Sequence, residues 1–228
     1  ACDTDADGFY DGSDGVSTGP RDVDSDFVEN FELGGKFSLL DNQVTLNSAV
    51  YQVDWEGIPV TRLFDFCSAT LNAGAARSRG VELDLSYRVN DDLLINFSSS
   101  YVNAELTEDA LDLGAVSGDR LPGSPKYNAS LGTEYSFRVG NYDAYWRADY
   151  AYVGGFYNNL KESGTEIADY GKLNVKVGMT VNQFDIDIFA DNLTNENSLT
   201  WIDAEGFPSE RGNRLRPRTL GLKFGYQF

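Results

Sequence analysis

From residue 27 onward the chain alternates apolar and polar side chains in nine separate stretches, each of which predicts one β-strand. The last is the most regular. Leu220, Leu222, Phe224, Tyr226 and Phe228 are apolar, while Thr219, Gly221, Lys223, Gly225 and Gln227 between them are polar or tiny. Nearly as regular is the stretch with Val81, Leu83, Leu85, Tyr87 and Val89 on one face and Gly80, Glu82, Asp84, Ser86 and Arg88 on the other. The first stretch opens at Phe27 with Phe31, Leu33, Phe37 and Leu39, and the second follows with Val44, Leu46 and Val50. The remaining five are marked by Leu93 to Tyr101, Tyr127 to Phe137, Tyr142 to Tyr152, Leu173 to Val181 and Phe184 to Ile188.

Turn residues separate these stretches in two alternating ways. Leu40-Asp41-Asn42-Gln43, Asn90-Asp91-Asp92, Gly140-Asn141 and Asn182-Gln183 predict tight turns. Between them lie long connections at about 55–76, 105–125, 154–168 and 193–216, expected to be irregular. The polar faces carry charge at mid-strand, as in Glu82 with Asp84, Arg147 with Asp149, and Asp185 with Asp187. Such a face cannot be packed dry and must meet water. Short turns alternating with long loops, over strands of dyad period, predict an all-β fold, an antiparallel transmembrane β-barrel with long extracellular loops. A soluble β-sandwich with one solvated face produces the same alternation and is the competing expectation.

Composition changes the picture in three respects. Aromatics make up 13% of the chain and it holds 23 glycines, as a β-rich protein requires. Mean hydropathy is −0.37, and no run approaches the ~20 apolar residues of a spanning helix. A barrel hides its apolar residues on alternate positions, so that average does not count against it. The net charge of −18 excludes nucleic acid as a partner, because phosphates would be repelled.

Much of that charge precedes the first strand. Residues 1–26 are expected to form an acidic extracellular loop, and residues 27–228 the carboxy-terminal part of a barrel. Within the acidic segment, Asp3, Asp5, Asp7, Asp11 and Asp14 fall at positions one, three, five, nine and twelve of a calcium loop. Gly8 stands at the sixth, where the chain must turn, and the Phe9 carbonyl at the seventh. Calcium is therefore an expected ligand, with Asp in place of the usual terminal Glu. The two cysteines, Cys2 and Cys67, fit one disulfide in an oxidising compartment. There is no His for a catalytic triad, and the paired carboxylates read as a hydrated wall, so no enzyme activity is expected.

Four segments carry a resemblance. Ala75 with Arg77-Ser78-Arg79-Gly80-Val81-Glu82-Leu83, Gly118-Asp119-Arg120-Leu121-Pro122-Gly123-Ser124-Pro125, Ala190-Asp191-Asn192-Leu193-Thr194-Asn195-Glu196 and Arg216-Pro217-Arg218-Thr219-Leu220-Gly221 resemble, in order and spacing, the final barrel segments of TonB-dependent outer-membrane receptors. That resemblance implies the last nine or so strands of a barrel of about 22, a preceding plug domain and first strands in the same receptor, and energy delivered through TonB. The expected role is uptake of a scarce ligand, a ferric siderophore or an oligosaccharide, across the outer membrane of a Gram-negative bacterium, in contact with its lipid and lipopolysaccharide. The nine strands are expected to be one piece of a longer chain, since open edges are untenable in lipid. Family members take ligand on outer loops, which makes Trp55, Arg62, Arg120, Phe156, Tyr157, Trp201 and Glu205 candidates by position. The two arginines suit an anionic ferric siderophore, and the tryptophans suit stacking on a sugar. A passive porin-like or structural barrel, or a secreted calcium-stabilised sandwich acting in adhesion, are the alternatives.

Overall fold

The computed structural model describes residues 9–11, 17–20, 23–64, 67–72, 74–111, 114–160, 165–203 and 211–227. A short ribbon, β1 (Phe9–Asp11) with β2 (Ser17–Pro20), comes first, followed by β3 (Phe27–Leu39) and β4 (Val44–Glu56). A second ribbon, β5 (Pro59–Phe64) with β6 (Cys67–Asn72), leads to β7 (Ala75–Arg88), β8 (Leu93–Leu106), β9 (Tyr127–Val139) and β10 (Tyr142–Val153). The two-residue strands β11 (Phe156–Tyr157) and β12 (Glu166–Ile167) precede β13 (Tyr170–Val181) and β14 (Phe184–Asp191). Last come the ribbon β15 (Leu199–Asp203) with β16 (Arg211–Arg214), and β17 (Thr219–Tyr226).

Nine of these strands form one antiparallel sheet in strictly sequential order, β3-β4-β7-β8-β9-β10-β13-β14-β17. They are the nine stretches that alternate in the sequence. A single nine-stranded meander is not two stacked sheets, so the sandwich expectation fails. The structure also corrects the long connections. Three of the four, and the acidic segment before β3, carry two-stranded ribbons rather than irregular chain alone. A pairing of two to six residues offers too few repeats for its period to stand out from its flanks.

The tight turns form where turn chemistry predicts them. Leu39 faces Val44 across four residues, of which Leu40, Asp41 and Asn42 have φ of 51°, 52° and 68°, and the Gln43 N–H donates to the Leu40 carbonyl at 3.0 Å. Asn90 Oδ1 accepts from the Asp92 and Leu93 amides at 2.9 and 2.8 Å, which reverses the chain between β7 and β8. Two-residue turns with Gly140 (φ 63°) and Asn182 (φ 56°) close β9–β10 and β13–β14.

The two faces of the sheet differ chemically. On one, Val50, Val81, Leu131, Tyr150 and Val177 remain 43–53% exposed although they lie on interior strands. An apolar surface of that extent belongs against another apolar medium. On the opposite face, Arg147 binds Asp149 at 2.8 and 2.9 Å and stands 3.6 Å from Glu134 on β9. Tyr145 donates to Asp187 Oδ1 at 2.9 Å, while Lys176 lies 3.8 Å from Asp187 and 5.2 Å from the Tyr145 ring centre. Asp185 accepts from Thr180 at 2.8 Å and from Gln227 at 3.0 Å. Asp185 and Asp187 are thus held by different partners. The buried apolar clusters lie not between layers but at the end of the sheet that carries the long connections.

Candidate functional site

The long connections fold toward one another over that end. The β8–β9 connection turns back on its own strand: the Leu106 amide donates to the Asp119 carbonyl at 2.8 Å and the Leu121 amide to the Ala104 carbonyl at 3.0 Å. This brings Ala110, Ala115 and Leu121 against Ile58, Ala76, Leu106 and Leu160. Trp55 packs on the same cluster, and its Nε1 donates to Asp26 at 2.8 Å. Both its ring and its donor are therefore engaged in holding the loops. The β10–β13 and β14–β17 connections meet through Phe156, Ile167 and Ile202, with Leu199 alongside.

On this apolar base, four of the expected ligand residues come together from three connections. The Arg120 guanidinium donates to the Ser124 carbonyl at 2.9 Å and sits 5.8 Å over the Tyr157 ring. Tyr157 is fixed in turn, because its carbonyl accepts from the Gly123 amide at 2.9 Å. Phe156, 7% exposed, stacks under Trp201 with ring centres 6.4 Å apart, and Trp201 itself is 40% exposed. Beside them, Asn158 Nδ2 donates to the Ile202 carbonyl at 3.1 Å while its Oδ1 is buried without a partner among the described residues. The result is a cation, a half-exposed phenol ring and an exposed indole within one rim. That set suits an anionic or aromatic ligand through charge and stacking.

The remaining expected positions are not part of this group. Trp55 lies under the loops. Arg62 is placed by its backbone opposite Ala69 in the β5–β6 ribbon, and Glu205 lies outside the described residues. Of the calcium positions, Phe9 and Asp11 are placed by their backbone in β1, opposite Pro20 and Ser17; Asp3, Asp5, Asp7 and Asp14 lie outside the described residues. Cys67 begins β6 and Cys2 lies outside the described residues. Among the described residues no group of three or more His, Cys, Asp or Glu is arranged to hold a metal ion.

Asn158 and Asn192 escaped the sequence reading as contributors to this end of the molecule. Asn192, 2% exposed with φ 52°, ties three chain segments. Its Nδ2 donates to the Glu196 and Arg216 carbonyls at 2.8 and 2.9 Å, its Oδ1 accepts from the Glu196 amide at 2.8 Å, and its own amide donates to Asn174 Oδ1 at 2.9 Å. The signal was the Asn-rich turn within the segment 190–196, legible as a turn but not as a knot.

Comparison with known proteins places this arrangement. The family model described as TonB dependent receptor-like, beta-barrel matches residues 4–193. The probable TonB-dependent siderophore receptor PiuA of Acinetobacter baumannii is 24% identical over 230 aligned positions, which cover 95% of this chain and 30% of that protein. The metal-pseudopaline receptor CntO of Pseudomonas aeruginosa is 27% identical over 224 positions, covering 93% and 29%. Among solved structures, the ferric yersiniabactin uptake receptor FyuA from Yersinia pestis superposes with a TM-score of 0.75 at 22% identity, over 87% of this chain and 29% of that one. At that identity the likeness shows the fold. The chain spans less than a third of the length of the curated relatives it matches.

Proposed function

The chain belongs to the TonB dependent receptor-like β-barrel family, and from that premise we propose that it forms part of the wall and mouth of a receptor that imports a scarce ligand. The protein resides in the outer membrane of a Gram-negative bacterium. Its apolar face meets lipid and its charged face meets the water-filled interior, as the dyad pattern requires. In this reading the rest of the receptor supplies the plug and the first strands, and TonB supplies energy through them. No catalytic step is part of it. The ligand is an anionic ferric siderophore, with an oligosaccharide as the second class. The observation that carries the proposal is the rim in which Arg120, Tyr157, Phe156 and Trp201 converge from three connections. The relatives named for siderophore and metal-pseudopaline reception support the first class.

The test is uptake by cells carrying the intact receptor. Arg120→Ala combined with Trp201→Ala is expected to lower accumulation of a labelled ferric siderophore by about tenfold or more, the effect of removing a central cation and an aromatic anchor. Heat-modifiable migration on a gel should stay unchanged. Wild-type accumulation of a labelled oligosaccharide instead would move the proposal to the second class, and equal uptake by wild type and variant would overturn the role of the rim.

Two further assignments belong to the same proposal. Asp3, Asp5, Asp7, Phe9, Asp11 and Asp14 bind calcium on the outer side, supported by the loop spacing alone, and Cys2 pairs with Cys67.

A further inference from the structure

Period-two alternation decides which side chains share a face but not which residues meet, because a pairing slipped by two residues leaves every side chain on its own face. In the hairpins β3–β4, β7–β8, β9–β10 and β13–β14 the tight turn sets the register. At β4–β7, β8–β9, β10–β13 and β14–β17 the strands are joined by long connections, which impose no register of their own. Something in the strands must do so there.

Three of these four junctions carry the same feature. Tyr51 on β4 lies directly opposite Gly80 on β7, Tyr145 on β10 opposite Gly178 on β13, and Phe189 on β14 opposite Gly221 on β17. In each, the ring crosses to the next strand and lies over the glycine, so that a Cβ built there would fall under 3.0 Å from ring atoms. Gly80 and Gly178 are buried although the sheet is a single layer, because the ring shields their backbone. The aromatic always stands on the earlier strand and the glycine on the later. Among the described residues no hairpin has such a pair: its glycines face Ala49, Ser48, Val102, Asp149 or Asp187. The fourth long junction, β8–β9, is matched differently. There Tyr101 faces Tyr127 with ring centres 5.1 Å apart, and Ser98 shares a hydrogen bond of 2.7 Å with Ser130.

A slip of two residues would bring Tyr51 over Ser78 or Glu82, Tyr145 over Lys176 or Thr180, and Phe189 over Thr219 or Lys223. Every one of these carries a Cβ where the ring has to lie. The slipped pairing therefore either overpacks or turns the ring away and uncovers the glycine, whereas the native pairing does neither. Tyr145 is committed further, since its hydroxyl donates to Asp187 at 2.9 Å and holds the ring across Gly178.

We propose that Tyr51 with Gly80, Tyr145 with Gly178 and Phe189 with Gly221 are register keys. They select, among pairings that alternation cannot tell apart, the one in which strands joined by long connections meet. This role holds whatever ligand the receptor takes.

The test follows β4–β7 in the full receptor containing this chain, unfolded in urea and refolded into detergent micelles, with Cys2 and Cys67 replaced by Ser. Asn47→Cys is combined with Asp84→Cys, the native pair, or with Glu82→Cys or Ser86→Cys, the pairs that a slip of two residues would create. Oxidative cross-linking during refolding reads the ratio of slipped to native pairing. Tyr51→Ala is expected to raise that ratio about tenfold, as lifting one overpacking penalty from the slipped pairing does. Tyr51→Phe, which keeps the ring, should leave it at the wild-type value, and the exchanged pair, Tyr51→Gly with Gly80→Tyr, should restore it. Within the hairpin β7–β8, Asp84→Cys with Ser98→Cys should cross-link alike in every background. If Tyr51→Ala does not refold, the exchanged pair decides: refolding in the native register supports the key, and failure overturns it. A Tyr51→Ala receptor that melts earlier yet keeps the native cross-link alone overturns the proposal and leaves the ring as packing only. An equal rise of slipped pairs with Tyr51→Phe does the same.

Discussion

Gly178 is a tight point of the charged wall. A Cβ built there would lie 2.3 Å from both a Tyr145 ring carbon and Asp187 Oδ1. The Tyr145 ring crosses the neighbouring strand at a residue with no side chain, and from there its hydroxyl reaches Asp187, which is 9% exposed. Gly178→Ala should therefore lower the midpoint of thermal unfolding, read by heat-modifiable migration, through overpacking worth about 1–3 kcal/mol. Tyr145→Ala in the same chain should restore most of the loss, and a variant that unfolds like wild type would show that the wall yields there. Alternation alone says nothing of how far the neighbouring tyrosine reaches across the strand. Likewise the sequence placed Arg120, Phe156, Tyr157 and Trp201 in outer connections without pairing them. Their convergence depends on Leu160, Ile167 and Ile202, scattered apolar anchors with no period to read.

Among the elements, the junction of β14 and β17 is tied at several points by one buried side chain. Asn192, at the end of β14, holds the Arg216 carbonyl just before β17 and closes its own turn onto Glu196. Removing its amide strands several backbone groups away from water, at about 1–3 kcal/mol for such buried groups. Asn192→Ala is expected to increase protease cleavage in the connection 193–218 and to weaken the β14–β17 pairing, while Asn195→Ala, whose side chain accepts from the Arg218 amide at 3.0 Å, should do less. Equal cleavage of the two variants would refute the knot. The nine sheet strands were legible because each repeats its period at least three times, although β4, β7 and β8 extend a residue or two into stretches expected to be irregular. The ribbons β5–β6, β11–β12 and β15–β16 were not, since brief pairing in a loop is fixed by tertiary anchors rather than by its own pattern.

For the whole molecule, the alternation of faces and the order of connections gave the membrane barrel, and the family match agrees with it. What pattern alone left undecided was the use of the acidic segment. If Asp3 to Asp14 bind calcium in the intact receptor, terbium luminescence excited through nearby tyrosine should saturate and be displaced by calcium. Asp7→Asn should weaken that displacement by about tenfold, the effect of removing one charged ligand. An unsaturable signal would leave the segment a solvated loop.

The strict sequential order of the sheet also bears on how it comes into being. Its turns join β3 to β4, β7 to β8, β9 to β10 and β13 to β14 through two to four residues, whereas neighbouring pairs are joined by 16 to 27. Closing the longer connections costs about 2 kcal/mol more in chain entropy. Each of the four hairpins therefore closes at a smaller chain-entropy cost than the contacts that join one hairpin to the next. Chain entropy thus favours assembly of this sheet as the joining of hairpins that have already closed.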